Sequence, residues 1–148
     1  GMIISFFLDH IYYWGDWHYE SVFGPERAAR ISPAKSALNR GINFTLHQDT
    51  PVVAPDTLLA MHNAVNRTTK GGRVLGEEQR ISVMEAIKAL TINGAYQYFE
   101  EDIKGSVTEG KLADFVILDK NPLETDVKQL KDIKVLETIK EGNTVYKA

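Results

Sequence analysis

Residues 42–52, Ile-Asn-Phe-Thr-Leu-His-Gln-Asp-Thr-Pro-Val, constrain the fold of this chain more than any other stretch. Ile42, Phe44 and Leu46 alternate with Asn43, Thr45 and His47, which gives a strand one apolar and one polar face. The strand runs into Asp49, and Pro51 ends its ladder because proline has no N–H to donate. A strand packed under helices turns its apolar face to them and leaves the polar face for a site. An acidic residue at the end of such a strand suits the C-terminal mouth of a barrel. An ordinary half-buried strand whose Asp49 only caps the next turn accounts for the pattern at least as well.

Residues 3–8 form a continuous apolar run with β-branched Ile3 and Ile4, which predicts a strand buried on both faces. Asp9 to Tyr19 follows, and reads as an aromatic loop packed over a pocket or a partner. Ser32-Pro33 predicts a helix start, with serine as cap, running to about Arg40 before Gly41. Strand, loop and helix, strand is a parallel crossover, so the expected class is α/β. Pro55-Asp56-Thr57 opens a second helix, which Lys70-Gly71-Gly72 closes as a turn. Ser82 and Glu85 form a capping box ahead of an apolar stripe of Val83, Met84, Ile87 and Leu90, which Asn93-Gly94 breaks. Ala95 to Phe99 add a short helical piece. After Asp102, turn signals bracket Phe115 to Leu118, and a hairpin around Glu141-Gly142-Asn143 joins 134–139 to 144–146. The boundary between helical and β parts is placed near residue 103, giving units 2–102 and 103–148.

At 148 residues the chain can bury one good core with a smaller appendage. Seventeen basic against 20 acidic residues leave a net charge of -3, which gives no electrostatic reason to expect nucleic acid or an anionic membrane as partner. Cysteine is absent, so disulfides and thiolate metal sites are excluded. The apolar opening is too short to span a bilayer and lacks the flanks of a signal peptide, so a cytoplasmic protein is expected.

The histidines are His10, His18, His47 and His62, with no HxH and no HExxH among them. His62 reads as a surface or core-edge helix residue, while His18 fits packing and function equally. His10 follows the first strand as Asp49 follows the second, so both emerge at one end of a parallel sheet. His47 shares that region just below. One imidazole and one carboxylate do not close a metal site, since a catalytic zinc takes about three protein ligands. They could instead act as base and orienting group. No GxSxG motif and no phosphate-cradling glycine loop is present, and Gly71-Gly72 reads as a plain loop.

Three stretches together resemble the C-terminal part of a metal-dependent amidohydrolase, in the subgroup that includes the N-substituted formamide deformylases. The first is His47-Gln48-Asp49-Thr50-Pro51-Val52. The second is Ala64-Val65-Asn66-Arg67, followed by 75–81 and then Ala86 to Ala95. The third is residues 105–119, where Gly105-Ser106, Gly110-Lys111 and Ala113-Asp114 match a GS-x-x-x-GK-x-AD signature. With the hairpin ending Thr144-Val145-Tyr146, these cover nearly the whole chain in the family's order.

The resemblance implies a partial TIM barrel, with 3–8 as strand seven and 42–48 as strand eight, followed by part of a small β-sandwich. It implies that Asp49 is the catalytic acid/base and metal-facing residue, that the metal is zinc, and that the substrate is a small amide whose C–N bond is hydrolysed. His10, Tyr12, Tyr13 and Trp14 would contact that substrate, with Trp17 beside them. The family's HxH, its bridging residue and the histidines of strands five and six have no match here. The resemblance therefore implies that this chain does not assemble the site alone and that its exposed strand edge makes it a homo-oligomer. The competing expectation is a non-catalytic interaction module derived from the hydrolase.

Overall fold

The computed structural model describes residues 2–148, and within them the chain is a mixed α/β structure. The expected crossover is present. Strand β1 (Ile4–Phe6) lies parallel to β2 (Phe44–Leu46), with Ile4 opposite Phe44 and Phe6 opposite Leu46. The His47 amide extends the ladder to the Phe6 carbonyl at 3.1 Å. Both strands are shorter than the sequence suggested, and β1 is not buried on both faces: Ile4 is 39% exposed. Only β2 flanks it among the described residues, which leaves its other edge open. β2 is buried throughout, including Thr45, because helix α6 (Ile92–Gln97) covers its polar face and Gln97 Oε1 accepts the Thr45 hydroxyl at 2.9 Å.

The aromatic segment after β1 is a helix, not a loop. α1 (Asp9–Trp17) continues into a π-helical turn, His18–Val22, and then α2 (Gly24–Ala29). Aromatics stand on more than one side of α1, so no single apolar stripe betrayed its period. Gly15 lets α1 press against the segment behind it; a Cβ there would lie 2.6 Å from Thr69 Cγ2 and 2.7 Å from Leu75 Cδ1.

α3 (Ala34–Leu38) starts later than expected, and Ser32 does not cap it. Ser32 takes a left-handed conformation (φ 48°), and its hydroxyl turns to His10 and Phe7. Gly41 (φ 65°) does supply the expected left-handed residue after the helix. α4 (Thr57–Asn66) is capped by Asp56, whose carboxylate accepts the Leu59 amide at 3.0 Å.

The chain then turns at Arg67, which is also left-handed (φ 52°) and fully buried. Its guanidinium donates to the carbonyls of Leu75 (2.7 Å), Ser32 (3.0 Å), Ile31 (2.7 Å) and, at 3.4 Å, Ala29. Four backbone acceptors from two loops thereby converge on one side chain, in place of a carboxylate.

The capping box of Ser82 and Glu85 opens α5 (Val83–Leu90). Its core face differs from the expected stripe: Ala86 and Ala89 are buried while Met84 is 43% exposed. Small side chains there allow close approach to β2. Asn93-Gly94 does not break the helical run, which bends at Thr91 and resumes as α6; Asn93 Nδ2 donates to the Phe44 carbonyl at 2.9 Å.

The tail is a three-stranded antiparallel sheet in the order β3 (Phe115–Leu118), β4 (Val135–Lys140), β5 (Asn143–Lys147). Glu141 and Gly142, both at positive φ, make the tight turn of its hairpin. A 3-10 helix, Val127–Asp132, returns from this tail to α4: Leu130 and Ile133 are buried in the common core, and Asn66 Nδ2 donates to the Val127 carbonyl at 2.7 Å.

Candidate functional site

Beyond the C-terminal ends of the parallel strands lie His10, His47 and Asp49, the residues singled out from the sequence. Phe7, just past β1, lies between two imidazoles: its ring stacks on His10 and on His47, each with centroids 5.5 Å apart. His10 in turn meets His18 edge-on at 5.3 Å, and His18 stacks on Phe23 at 5.2 Å. Phe7 therefore joins the residues that follow both strands into one layer. Ser5 Oγ and His47 Nδ1 are 2.8 Å apart, which fixes the second ring.

His10 Nε2 lies 3.3 Å from Ser32 Oγ, while that hydroxyl can donate to the Phe7 carbonyl over a long 3.5 Å. This arrangement suits the tautomer with the proton on Nε2. Burial, with His18, Arg67 and His47 nearby, lowers His10 to about 4. The folded ring is therefore neutral where the unfolded ring is charged, between about pH 4 and 6.5. In that window the unfolded chain binds more protons, so stability falls as the pH drops. We expect His10→Gln to flatten the dependence of the urea-unfolding free energy on pH over that window. An unchanged slope would show that His10 is not held neutral by the fold. Asp9, fully buried and raised by burial, acts in the opposite sense, so the difference between the two proteins is the readout.

Asp9 also marks how tightly α1 meets α4. Its Oδ1 accepts from Asn63 Nδ2 at 2.6 Å, while Asp9 Oδ2 and Asn63 Oδ1 are both buried without a partner. Gln48 Nε2 is near enough to oppose the rise of the Asp9 carboxyl but makes no hydrogen bond of ordinary geometry.

Asp49 stands on the exposed side of this layer, at φ 54°, in a turn closed by the Val52 amide on its carbonyl (2.8 Å). Among the described residues its carboxylate makes no side-chain hydrogen bond or ion pair. Helix α1 divides the aromatic candidates. His10, Tyr13, Trp14 and Trp17 fall at helical spacing on one side, with Trp14 6.3 Å from Phe7. Tyr12 lies off that side: it meets Tyr13 edge-on at 5.1 Å and lines a separate cavity with Lys70 and Lys131. Sequence reasoning missed Phe7, Ser32 and Arg67 as organisers; the place of Arg67 in the Ala64-to-Arg67 stretch was the one signal available.

The fit to a metal is testable on these residues. No group of three or more His, Asp or Glu side chains that could hold an ion exists among them. His10 is already engaged with Ser32, and Asp49 stands alone. The described residues do not make a metal centre.

The described residues form a mixed α/β structure in which His10 and Asp49 come after adjacent parallel strands. The amidohydrolase family profile matches residues 1–146, and the chain belongs to that family. It is 28% identical over 137 residues to the N-substituted formamide deformylase of Arthrobacter pascens, covering 90% of this chain and 24% of that protein. With the amidohydrolase YtcJ of Bacillus subtilis it shares 30% over 126 residues, covering 83% and 24%. An uncharacterized metal-dependent hydrolase from Pyrococcus furiosus superposes with a TM-score of 0.65 at 25% identity, covering 83% of this chain and 24% of that one. A zinc-bound adenosine deaminase from Xanthomonas campestris, at 20% identity and TM-score 0.60 over 81% and 30% of the two chains, shares the fold. The chain spans about a quarter of the length of the curated relatives it matches. No helix among the described residues is long and apolar enough to cross a membrane.

Proposed function

We propose that this chain supplies one sector of a hydrolase acting on a non-peptide C–N bond in a small amide of the formamide type. The supporting observation is the parallel register of β1 and β2, which brings His10 and Asp49 to the same end, with Phe7 stacked between His10 and His47. In this reading β1 and β2 are two neighbouring strands of a barrel, residues 2–102 are its closing part, and 103–148 belong to a β-sandwich.

Asp49 is the acid/base. Its exposed carboxylate is free to take a proton from a water attacking the carbonyl carbon and to pass it to the leaving nitrogen. His10, neutral through its burial, can hydrogen-bond the substrate without adding charge. Tyr13 and Trp14 shield the reacting carbonyl from bulk water, and Tyr12 backs Tyr13 edge-on. A metal in this reaction, zinc by the family resemblance, would take most of its ligands from outside this chain, and no step here is assigned to it.

The open edge of β1 and the exposed Met2, Tyr98 and Phe99 favour self-association of the isolated chain. The test is to assay residues 2–148 and the full gene product side by side against N-substituted formamides, with metal analysis and light scattering. We expect turnover from the gene product only, and from residues 2–148 a mass above the 16.6 kDa monomer without stoichiometric zinc. Turnover and one zinc per chain in residues 2–148 would refute the sector reading. A gene product inert toward C–N substrates would leave the interaction-module reading in its place.

A further inference from the structure

A second cavity, of about 560 Å³, lies away from the strand ends, between α4, the 68–74 turn and the Val127–Asp132 helix. Its lining carries four cations, Lys70, Arg80, Lys128 and Lys131, and no carboxylate. In a chain of net charge -3 that is a local reversal of sign. Acidic residues nearby are turned to other work. Glu77 pairs with Arg80 at 2.6 Å and offsets that one cation, whereas Asp126 Oδ1 accepts the Lys128 amide and Asp16 holds Arg73 and the Gly71 amide. Asp132 is near enough for His62 to feel its charge, yet it does not line the cavity. The ammonium groups of Lys70, Lys128 and Lys131 make no ion pair among the described residues. Like charges gathered around a concave space repel one another and raise the local concentration of anions.

The walls are built rather than loose. His62, buried at the floor, is braced by Asn66, whose Nδ2 lies 3.2 Å from its Nδ1. Arg80 Nε is fixed on the Asn66 carbonyl at 3.0 Å. The Lys70 amide donates to the Tyr12 carbonyl at 2.8 Å, and Arg73, paired with Asp16 at 3.1 Å and stacked 3.9 Å over Tyr19, pins the turn to α1 and the π-helical turn after it. The volume exceeds what a single inorganic phosphate fills, and the Tyr12 ring offers a flat apolar flank for an organic group.

The geometry points to a binding site for a small organic phosphate carrying two or more phosphoryl groups, with the three unpaired lysines on the phosphates and Tyr12 against the organic part. Apart from Tyr12, which also backs Tyr13, it rests on residues other than those of the proposed hydrolytic site, so the lysine contacts can fail without the hydrolytic reading.

Isothermal titration of the intact chain with inorganic pyrophosphate and with ATP, both metal-free, tests it. We expect saturable one-to-one binding that weakens as salt rises, because screening acts on exposed charge. Lys128→Glu with Lys131→Glu should weaken both ligands at least about tenfold, whereas the same charge change at Lys120 and Lys147, outside the cavity, should cost less than about twofold. Tyr12→Leu should weaken ATP and spare pyrophosphate. If charge reversal disturbs the 127–132 helix, Lys70→Ala on the opposite wall gives the same reading with a smaller loss. No saturable binding up to about 5 mM, a free energy of only about 3 kcal/mol, would overturn the site. Equal losses from both charge-reversal pairs would overturn it too, by reducing the effect to net charge.

Discussion

Arg67→Ala is expected to cost roughly 4–5 kcal/mol, a large part of the stability of a domain in the usual range of about 5–15 kcal/mol. The side chain is fully buried, and its guanidinium donates to the carbonyls of Ala29, Ile31, Ser32 and Leu75. Truncation leaves the Leu75, Ile31 and Ala29 carbonyls without that donor, while Ser32 keeps the Ala34 amide, and opens a void the size of the lost chain. Burial lowers the guanidinium only to about 10, so it stays charged at neutral pH. Its charge is balanced by oriented carbonyl dipoles, with the Glu78 carboxylate near enough to favour it, rather than by a direct ion pair. Arg67→Lys should recover less than half of the loss, since one ammonium cannot span carbonyls from two loops. Urea unfolding reads both variants. A cost below about 1 kcal/mol for the alanine would mean that the loops hold their places without it.

Asp49→Asn in the full gene product is expected to lower kcat by about 10²–10⁴-fold with little change in KM. Asparagine keeps the shape of the side chain but cannot accept and return a proton. Among the described residues the carboxylate has no hydrogen-bond or ionic partner, so stability should change by less than about 0.5 kcal/mol. Loss of activity with an unaltered melting curve therefore separates proton transfer from packing. A kcat within about threefold of the parent protein would remove Asp49 from the reaction.

What the sequence revealed and what it hid divide along a physical line. Local devices were legible: the Ser82–Glu85 box, the helix opening at Pro55-Asp56-Thr57, the Glu141-Gly142 turn and the parallel crossover depend on neighbours in the chain. Features set by distant contacts were not. Ser32 has the residue type and following proline of a helix cap, but His10 and Phe7 claim its hydroxyl. Helix α1 hid because its aromatics serve different neighbours on different sides, so the period blurred. Of the candidate site, the shared strand-end placement of His10 and Asp49 could be read because each comes three or four residues after a strand. The division of Tyr12 from Tyr13 and Trp14 could not, because it needs the helix that the pattern concealed. The basic cavity joins residue 70 to residue 131 across the fold, and nothing local marks it.

The short helix at Val127–Asp132 carries one more consequence. Leu130 and Ile133 are sunk into the core shared with α4, and the Asn66 amide is tied to the Val127 carbonyl. Were the backbone severed near Gly105–Gly110, the trailing piece would stay docked like a plug in its socket. Expressed without that plug, the leading piece would bare the oily flank of α4 and clump.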